Sequence, residues 1–130
     1  MVHELSTTPV HLGLGATATV EPPFTGMEWY TDYVARHVRD GLEGRLLSMY
    51  TFDKSWSNWE MHPHGSEVVI CTAGKITLVQ EVEGQLVRQE LVAGQFAINA
   101  PGVWHTADVE TMATAVFVTA GVGTQSRPRS

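Results

Sequence analysis

The stretch Trp59-Glu60-Met61-His62-Pro63-His64-Gly65-Ser66-Glu67, running on into Val68-Val69-Ile70-Cys71-Thr72-Ala73-Gly74, decides how the rest of the chain is read. Side chains on an extended backbone alternate faces with a period of two, so His62 and His64 would project together. Imidazole is the commonest protein metal ligand. Glu67 follows closely and opens an apolar, β-rich run. On an uninterrupted strand Glu67 has the opposite parity to the histidines. A bulge or turn at Gly65 would reset it, and glycine permits one. Glu60 shares the parity of the two histidines and is the reserve carboxylate. Ala100-Pro101-Gly102-Val103-Trp104-His105 supplies a third imidazole. A divalent metal held by His62, His64, Glu67 and His105 is the expected centre of the protein.

Outward from this stretch the pattern is of short strands. Arg45 to Phe52 alternates loosely, Asp53 to Asn58 is a polar turn, and Val68 to Thr72 and Ile76 to Val82 are β-rich runs separated by a tight connection at Gly74-Lys75. Gly84 marks a hairpin tip. Leu86 to Leu91, Gln95 to Asn99, Val103 to Val109 and Met112 to Thr119 complete the set. Only one segment reads as helix: Trp29, Tyr33, Val34, His37 and Val38 recur at helical spacing over about residues 30–40, with Thr31 or Asp32 as cap and Gly41 as stop. With no strand–helix–strand alternation, the chain reads as an all-β sandwich or small barrel. Residues 1–27, broken by Pro22-Pro23 and Gly26, read as an arm or edge strand. Residues 28–120 form the barrel domain, and the Gly, Ser, Arg and Pro-rich tail 121–130 is expected to drape or fray.

The histidine-bearing blocks resemble the two motifs of the cupin superfamily. His62-x-His64-x-x-Glu67, followed after six residues by Gly74, is similar to the first. Gly94-Gln95-Phe96-Ala97-Ile98-Asn99-Ala100-Pro101-Gly102-Val103-Trp104-His105 is similar to the second. Two residues, Gly65 and Ser66, stand where the family usually has three or four before the glutamate. Pro101 is displaced by one from the motif's proline, and Val109 occupies the position of a frequent asparagine. The resemblance implies a double-stranded β-helix, or jelly-roll barrel, with one short N-terminal helix. It also implies a 3-His/1-Glu metal site, and a homodimer, since such arms often cross to a second subunit.

Composition excludes other classes. With 130 residues, 43% of them hydrophobic and 17% charged, the chain is one globular domain with a real core. A net charge of −6, with no basic run beyond Arg127-Pro128-Arg129, argues against nucleic acid and anionic membranes as partners. No apolar run approaches the roughly 18 residues of a membrane span. Met1-Val2-His3-Glu4-Leu5 lacks the pattern of a secretory signal, and the single Cys71 forms no internal disulfide, so a cytoplasmic setting is expected.

Imidazole and carboxylate donors suit Fe, Mn, Ni, Co, Cu or Zn without choosing among them. Such an ion with open positions supports dioxygenase-type oxidation, or enolate-type isomerisation or lysis, of a small organic molecule. The alternative is a non-catalytic sensor or binding module for a small ligand. Met49, Phe96, Ile98 and Trp104 are the expected pocket wall, and Tyr50 is the one candidate general acid. His37 reads as a packing residue of the helix, and His3 and His11 as inert terminal residues.

Overall fold

A computed structural model describes residues 1–130. Its organising element is β5, a 16-residue strand over Glu67–Val82. The first half of β5 pairs with β7 (Phe96–Asn99) and β9 (Ala113–Thr119), and the second half with β6 (Gln85–Val92) and β8 (His105–Asp108). It therefore belongs to both walls of a jelly roll. One wall continues from β9 through β3 (Arg45–Phe52) to β1 (Val10–Gly13) and β2 (Thr17–Val20). The other continues from β8 to β4 (Asn58–Met61) and β10 (Gln125–Pro128). All pairings are antiparallel.

The tight connection expected at Gly74-Lys75 is instead the bend inside β5. Cys71 pairs with Ala115 and Ala73 with Thr114, so Thr72 is an extra residue in the ladder and the strand bulges there. Gly74 then adopts φ +69° while its backbone lies against Met112 and Ala113. A bulge followed by a left-handed residue turns the strand from one wall to the other without breaking it.

The core between the walls is built from alternate residues of these strands. Val69, Cys71, Ile76 and Leu78 of β5 pack with Leu91, Ala97, Ala107, Val109, Ala113, Ala115 and Phe117, and Tyr50, Phe52 and Trp56 close over them. On the outer face of the first wall the opposite parity is also apolar. Ile98, Val68, Val118, Leu47, Val10 and Val20 stand in register across six strands, with Phe96, Ile70, Val116 and Met49 in the next row. Phe96 and Ile98 are 63% and 50% exposed there.

This parity corrects the expected pocket wall. Phe96 and Ile98 project outward, and Ala97 and Asn99 are the inward residues of β7. Met49 alternates with the buried Ser48 and pairs with Val116 on the outer face. Trp104 lies beneath the Arg127 guanidinium, 4.4 Å from its ring centroid, on the side opposite the buried His105. A one-residue error of register moves every side chain of a strand to the other face.

Both ends of the chain are tied down. The helix α1 covers Glu28–Arg36, with no side-chain cap at Met27, so Thr31 and Asp32 lie within it rather than capping it. A 3-10 turn at Val38–Asp40 follows and ends at Gly41, which has φ +62°. Trp29 is buried and donates its indole N–H to the Pro22 carbonyl. The tail expected to fray forms β10 on β4. Arg127 pairs with Glu81, while Arg129 pairs with Asp108 and donates to the Trp56 carbonyl. Arg129 and Arg88 outweigh the effect of burial on Asp108 and hold its carboxyl below the ordinary range. No helix is long and apolar enough to cross a membrane.

Candidate metal centre

Strand β4 ends at Met61, and residues 63–65 form a turn. The break decides where the two histidines go. His62, still directed by the strand, is buried at 5% exposure. His64 sits in the turn, is exposed, and has its ring beside Gly123. The period of two that would align them holds only on an extended backbone. The same turn resets Glu67, which opens β5 facing inward at 4% exposure. Gly65 is required there, because a Cβ would lie 2.6 Å from that of Ala120.

Glu60, His62 and His105 each offer a donor atom within 4.8 Å of the others, and this group can hold a metal ion. His105 is fully buried at the start of β8 and pairs in register with Glu60 of β4. Glu67 lies between the two imidazoles. Its Oε2 is 3.2 Å from His62 Nε2, and its Oε1 is 3.3 Å from His105 Nε2. Glu60 Oε2 is 4.0 Å from His62 Nε2. The structure thus brings together His62, His105, Glu67 and the reserve Glu60, and leaves His64 outside.

Hydrogen bonds fix the tautomer of each imidazole. Thr124 Oγ1 donates to the Gly121 carbonyl at 2.7 Å, so it accepts from His62 Nδ1–H at 2.8 Å. His105 Nδ1–H donates to the Val103 carbonyl, an obligate acceptor, at 3.2 Å. In the neutral rings both Nε2 atoms then carry lone pairs, are buried and have no hydrogen-bond partner. They face a carboxylate that can only accept. Lone pairs opposed across about 3 Å in a buried site need a cation between them, either a proton on an imidazole or a metal ion. The donor set fits a divalent transition metal on this ground.

The remaining contacts of Glu67 hold it ionised. Asn99 Nδ2 donates to Oε1 at 3.0 Å and Thr119 Oγ1 to Oε2 at 2.6 Å. Gln80 in turn donates to Asn99 Oδ1 at 2.8 Å. Burial alone would raise the Glu67 carboxyl, but His105 and His62 outweigh it and hold it well below the carboxylate range. Burial alone would lower His105, and the Glu67 carboxylate reverses that and raises it. Glu60 is raised by burial first and by the Glu67 charge second. Two carboxyls in one site are thereby driven apart, Glu67 below the ordinary carboxylate value and Glu60 above it.

Tyr50, the expected general acid, points inward from β3, and its hydroxyl lies 2.8 Å from that of Tyr30 on α1. Burial, and next the hydrogen bond with Tyr50, push the Tyr30 phenol far above its ordinary range, with Glu60 and Glu67 adding to the effect. Reading the strands for ligands alone misses Asn99, Thr119 and Thr124. Inward parity beside Glu67 marks the first two, whereas Thr124 is placed only by the pairing of β10.

Imidazoles and carboxylates thus converge from β4, β5 and β8 in a group that could hold a metal ion. Comparison with solved oxalate oxidase structures agrees on the fold. An oxalate oxidase in complex with the substrate analogue glycolate superposes with a TM-score of 0.57 at 18% identity, over 71% of this chain and 50% of that one. A cupin-2 domain protein from Shewanella frigidimarina NCIMB 400 gives 0.49 at 17% identity, over 58% and 69%. A hydroquinone 1,2-dioxygenase from Sphingomonas sp. TTNP3 with 4-hydroxybenzoate bound gives 0.47 at 16%, over 56% and 57%. The chain thus spans about half the length of the oxalate oxidase. No protein-family model matches the sequence, and no curated protein does. The chain has the jelly-roll barrel fold that the oxalate oxidase structure also has.

Proposed function

We infer that this protein is a metal-dependent cupin enzyme acting on a small organic molecule at the group formed by Glu60, His62, Glu67 and His105. The observation that supports this reading is the pair of buried Nε2 atoms, each with its tautomer fixed and neither with a hydrogen-bond partner. A bound divalent ion would supply Lewis acidity to a chelating substrate and, if iron, access to dioxygen chemistry. The chain's own residues do the rest. Asn99 and Thr119 aim the Glu67 charge, Thr124 and the Val103 carbonyl hold the imidazoles, and Glu60 is the carboxyl able to carry a proton. In the Tyr30–Tyr50 pair one hydroxyl donates to the other, which leaves one hydroxyl hydrogen to donate to a substrate oxygen. The reaction is dioxygenase-type oxidation, or enolate-type isomerisation or lysis.

A binding module without turnover is the second reading. One feature favours it: two cavities, of about 200 and 280 Å³, are lined by residues outside this group. Elemental mass spectrometry of the purified, untagged protein and of its His62→Ala variant tests the metal. The wild type should hold about one equivalent more than the variant, and equal metal content would overturn the reading. Iron would lead to oxygen-uptake screens, and zinc, manganese or nickel to proton-exchange assays. Absence of turnover in both, with ligand binding intact, would establish the binding module.

Self-association through the outer face of the first wall accompanies this function. Paired apolar rows on a twisted sheet are self-complementary under a two-fold axis, and a second copy covers Phe96 and Ile98. Light scattering should give the mass of a dimer for the wild type and of a monomer for Phe96→Lys. A wild-type monomer would exclude it.

A further inference from the structure

His11, expected to be inert, is among the buried polar residues, at 3% exposure. The cause is register: β1 pairs with β3 so that His11 stands opposite the inward-facing Leu46. Around it lies a cluster remote in sequence from the cupin motifs. His11 Nε2 is 2.5 Å from Asp40 Oδ2, and His11 Nδ1 is 2.6 Å from the Tyr33 hydroxyl. His37 stacks on His11, with ring centroids 3.6 Å apart and planes 17° from parallel. His37 Nε2 is 2.9 Å from Glu21 Oε1, and the Arg36 guanidinium lies 2.9 Å from the same oxygen. One nitrogen of each imidazole and one Asp40 oxygen lie within 4.8 Å of one another.

We propose that His11, His37 and Asp40 form a second divalent-metal site, clamping β1 to the turn after α1. The stacking of the two rings brings their nitrogens and an Asp40 oxygen within reach of one ion. Each has an orienting partner on its other nitrogen, Tyr33 for His11 and the buried Glu21 for His37. Metal-ligating histidines characteristically have such a partner. With Glu21 on Nε2, Nδ1 is the His37 nitrogen left for an ion. The set carries two nitrogens and one carboxylate, which selects Zn2+, Ni2+, Co2+ or Cu2+ over Mg2+ or Ca2+.

The surroundings allow the ion in. Tetrahedral ligands at zinc distances stand roughly 3.4 Å apart, so a metal replaces the proton shared by His11 and Asp40 and spreads the pair. Two glycines leave that freedom. A Cβ at Gly13 would lie 2.9 Å from Asp40 Oδ2, and one at Gly44 would lie 2.8 Å from His11 Cε1. A cavity of about 200 Å³, lined by His11, Tyr33 and His37 with Val34, Val38 and Leu42, adjoins the cluster and has room for the remaining ligands.

The test is calorimetric titration of metal-stripped protein with Zn2+. The wild type should take two equivalents, one lost in His62→Ala and the other in His37→Ala or Asp40→Asn, or weakened there at least about 10-fold. If the cupin-type site takes no zinc, a single equivalent will remain that is insensitive to His62→Ala but lost in Asp40→Asn. Unchanged binding in both His37→Ala and Asp40→Asn would overturn the proposal. Should either variant fail to fold, the wild type itself decides through its histidine 15N resonances. Zn2+ should shift those of His11 and His37, and resonances that stay in place would leave the cluster as hydrogen bonding alone.

Discussion

Replacing Gly74 by alanine should destabilise the fold by about 3 kcal/mol or more, or prevent folding. A left-handed φ of +69° costs a residue with a Cβ roughly 1–2 kcal/mol. Here a Cβ would also lie 2.1 Å from the Met112 carbonyl oxygen and 2.8 Å from its carbon. Both atoms are backbone, held by the Lys75 N–H bond to the same carbonyl at 3.2 Å. Relief therefore requires β9 to move away from β5, and that ladder supports the inward face of both. Urea unfolding checks it, with Gly84→Ala as control. Gly84 shares the positive φ, at +77°, but meets nothing within 4 Å, so its loss should be limited to the conformational part. Equal midpoints for the two variants would refute the steric account.

His105→Ala should remove one equivalent of metal and, in metal-free protein, cost about 3–5 kcal/mol, the usual effect of taking one partner from a buried ion pair. Glu67 would keep Asn99, Thr119 and His62 but lose the cation at 3.3 Å. The effect should depend on pH, with a sign that follows from the shifts. The folded His105 imidazole is raised above its ordinary 6.5, so its contribution is complete below about pH 6.5 and is lost as pH rises through the folded value. Glu67 is lowered from 4.5, so its contribution is present above that value and is lost in acid. Metal-free wild type should therefore be most stable between these limits and weaken toward alkaline pH. His105→Ala should flatten the alkaline limb. Thermal melts in chelator across pH 4 to 9 measure both limbs, and an unchanged alkaline limb in the variant would rule out the His105–Glu67 pair as its origin.

The all-β architecture was legible because the strands are short, β-rich and punctuated by glycine and proline. The helix was legible from its spacing, although its start was not: Met27 supplies no cap, and burial of Trp29 holds the first turn instead. The motif spacing predicts that His62 and His105 come together with Glu60 and Glu67, and the structure places these four side chains side by side. His64 could not be excluded, since whether the backbone is extended through Pro63 is settled by where β4 lets go of its partners. Met49, Phe96 and Ile98 lie on the face opposite the one their sequence predicts, for a related reason. On this sheet both faces are apolar, and hydrophobic alternation then carries no sign. Thr124 and His11 were invisible because each owes its position to pairing between segments far apart in sequence, β10 on β4 and β1 on β3.

The continuity of β5 through its bend carries a further consequence. Because one strand is stitched to four others across two walls, the barrel cannot open by parting its sheets without breaking that strand's ladders. The backbone around Glu60, His62, Glu67 and His105 is therefore preorganised, and any ligand held there would order little of it and lose little affinity to conformational entropy on the protein side.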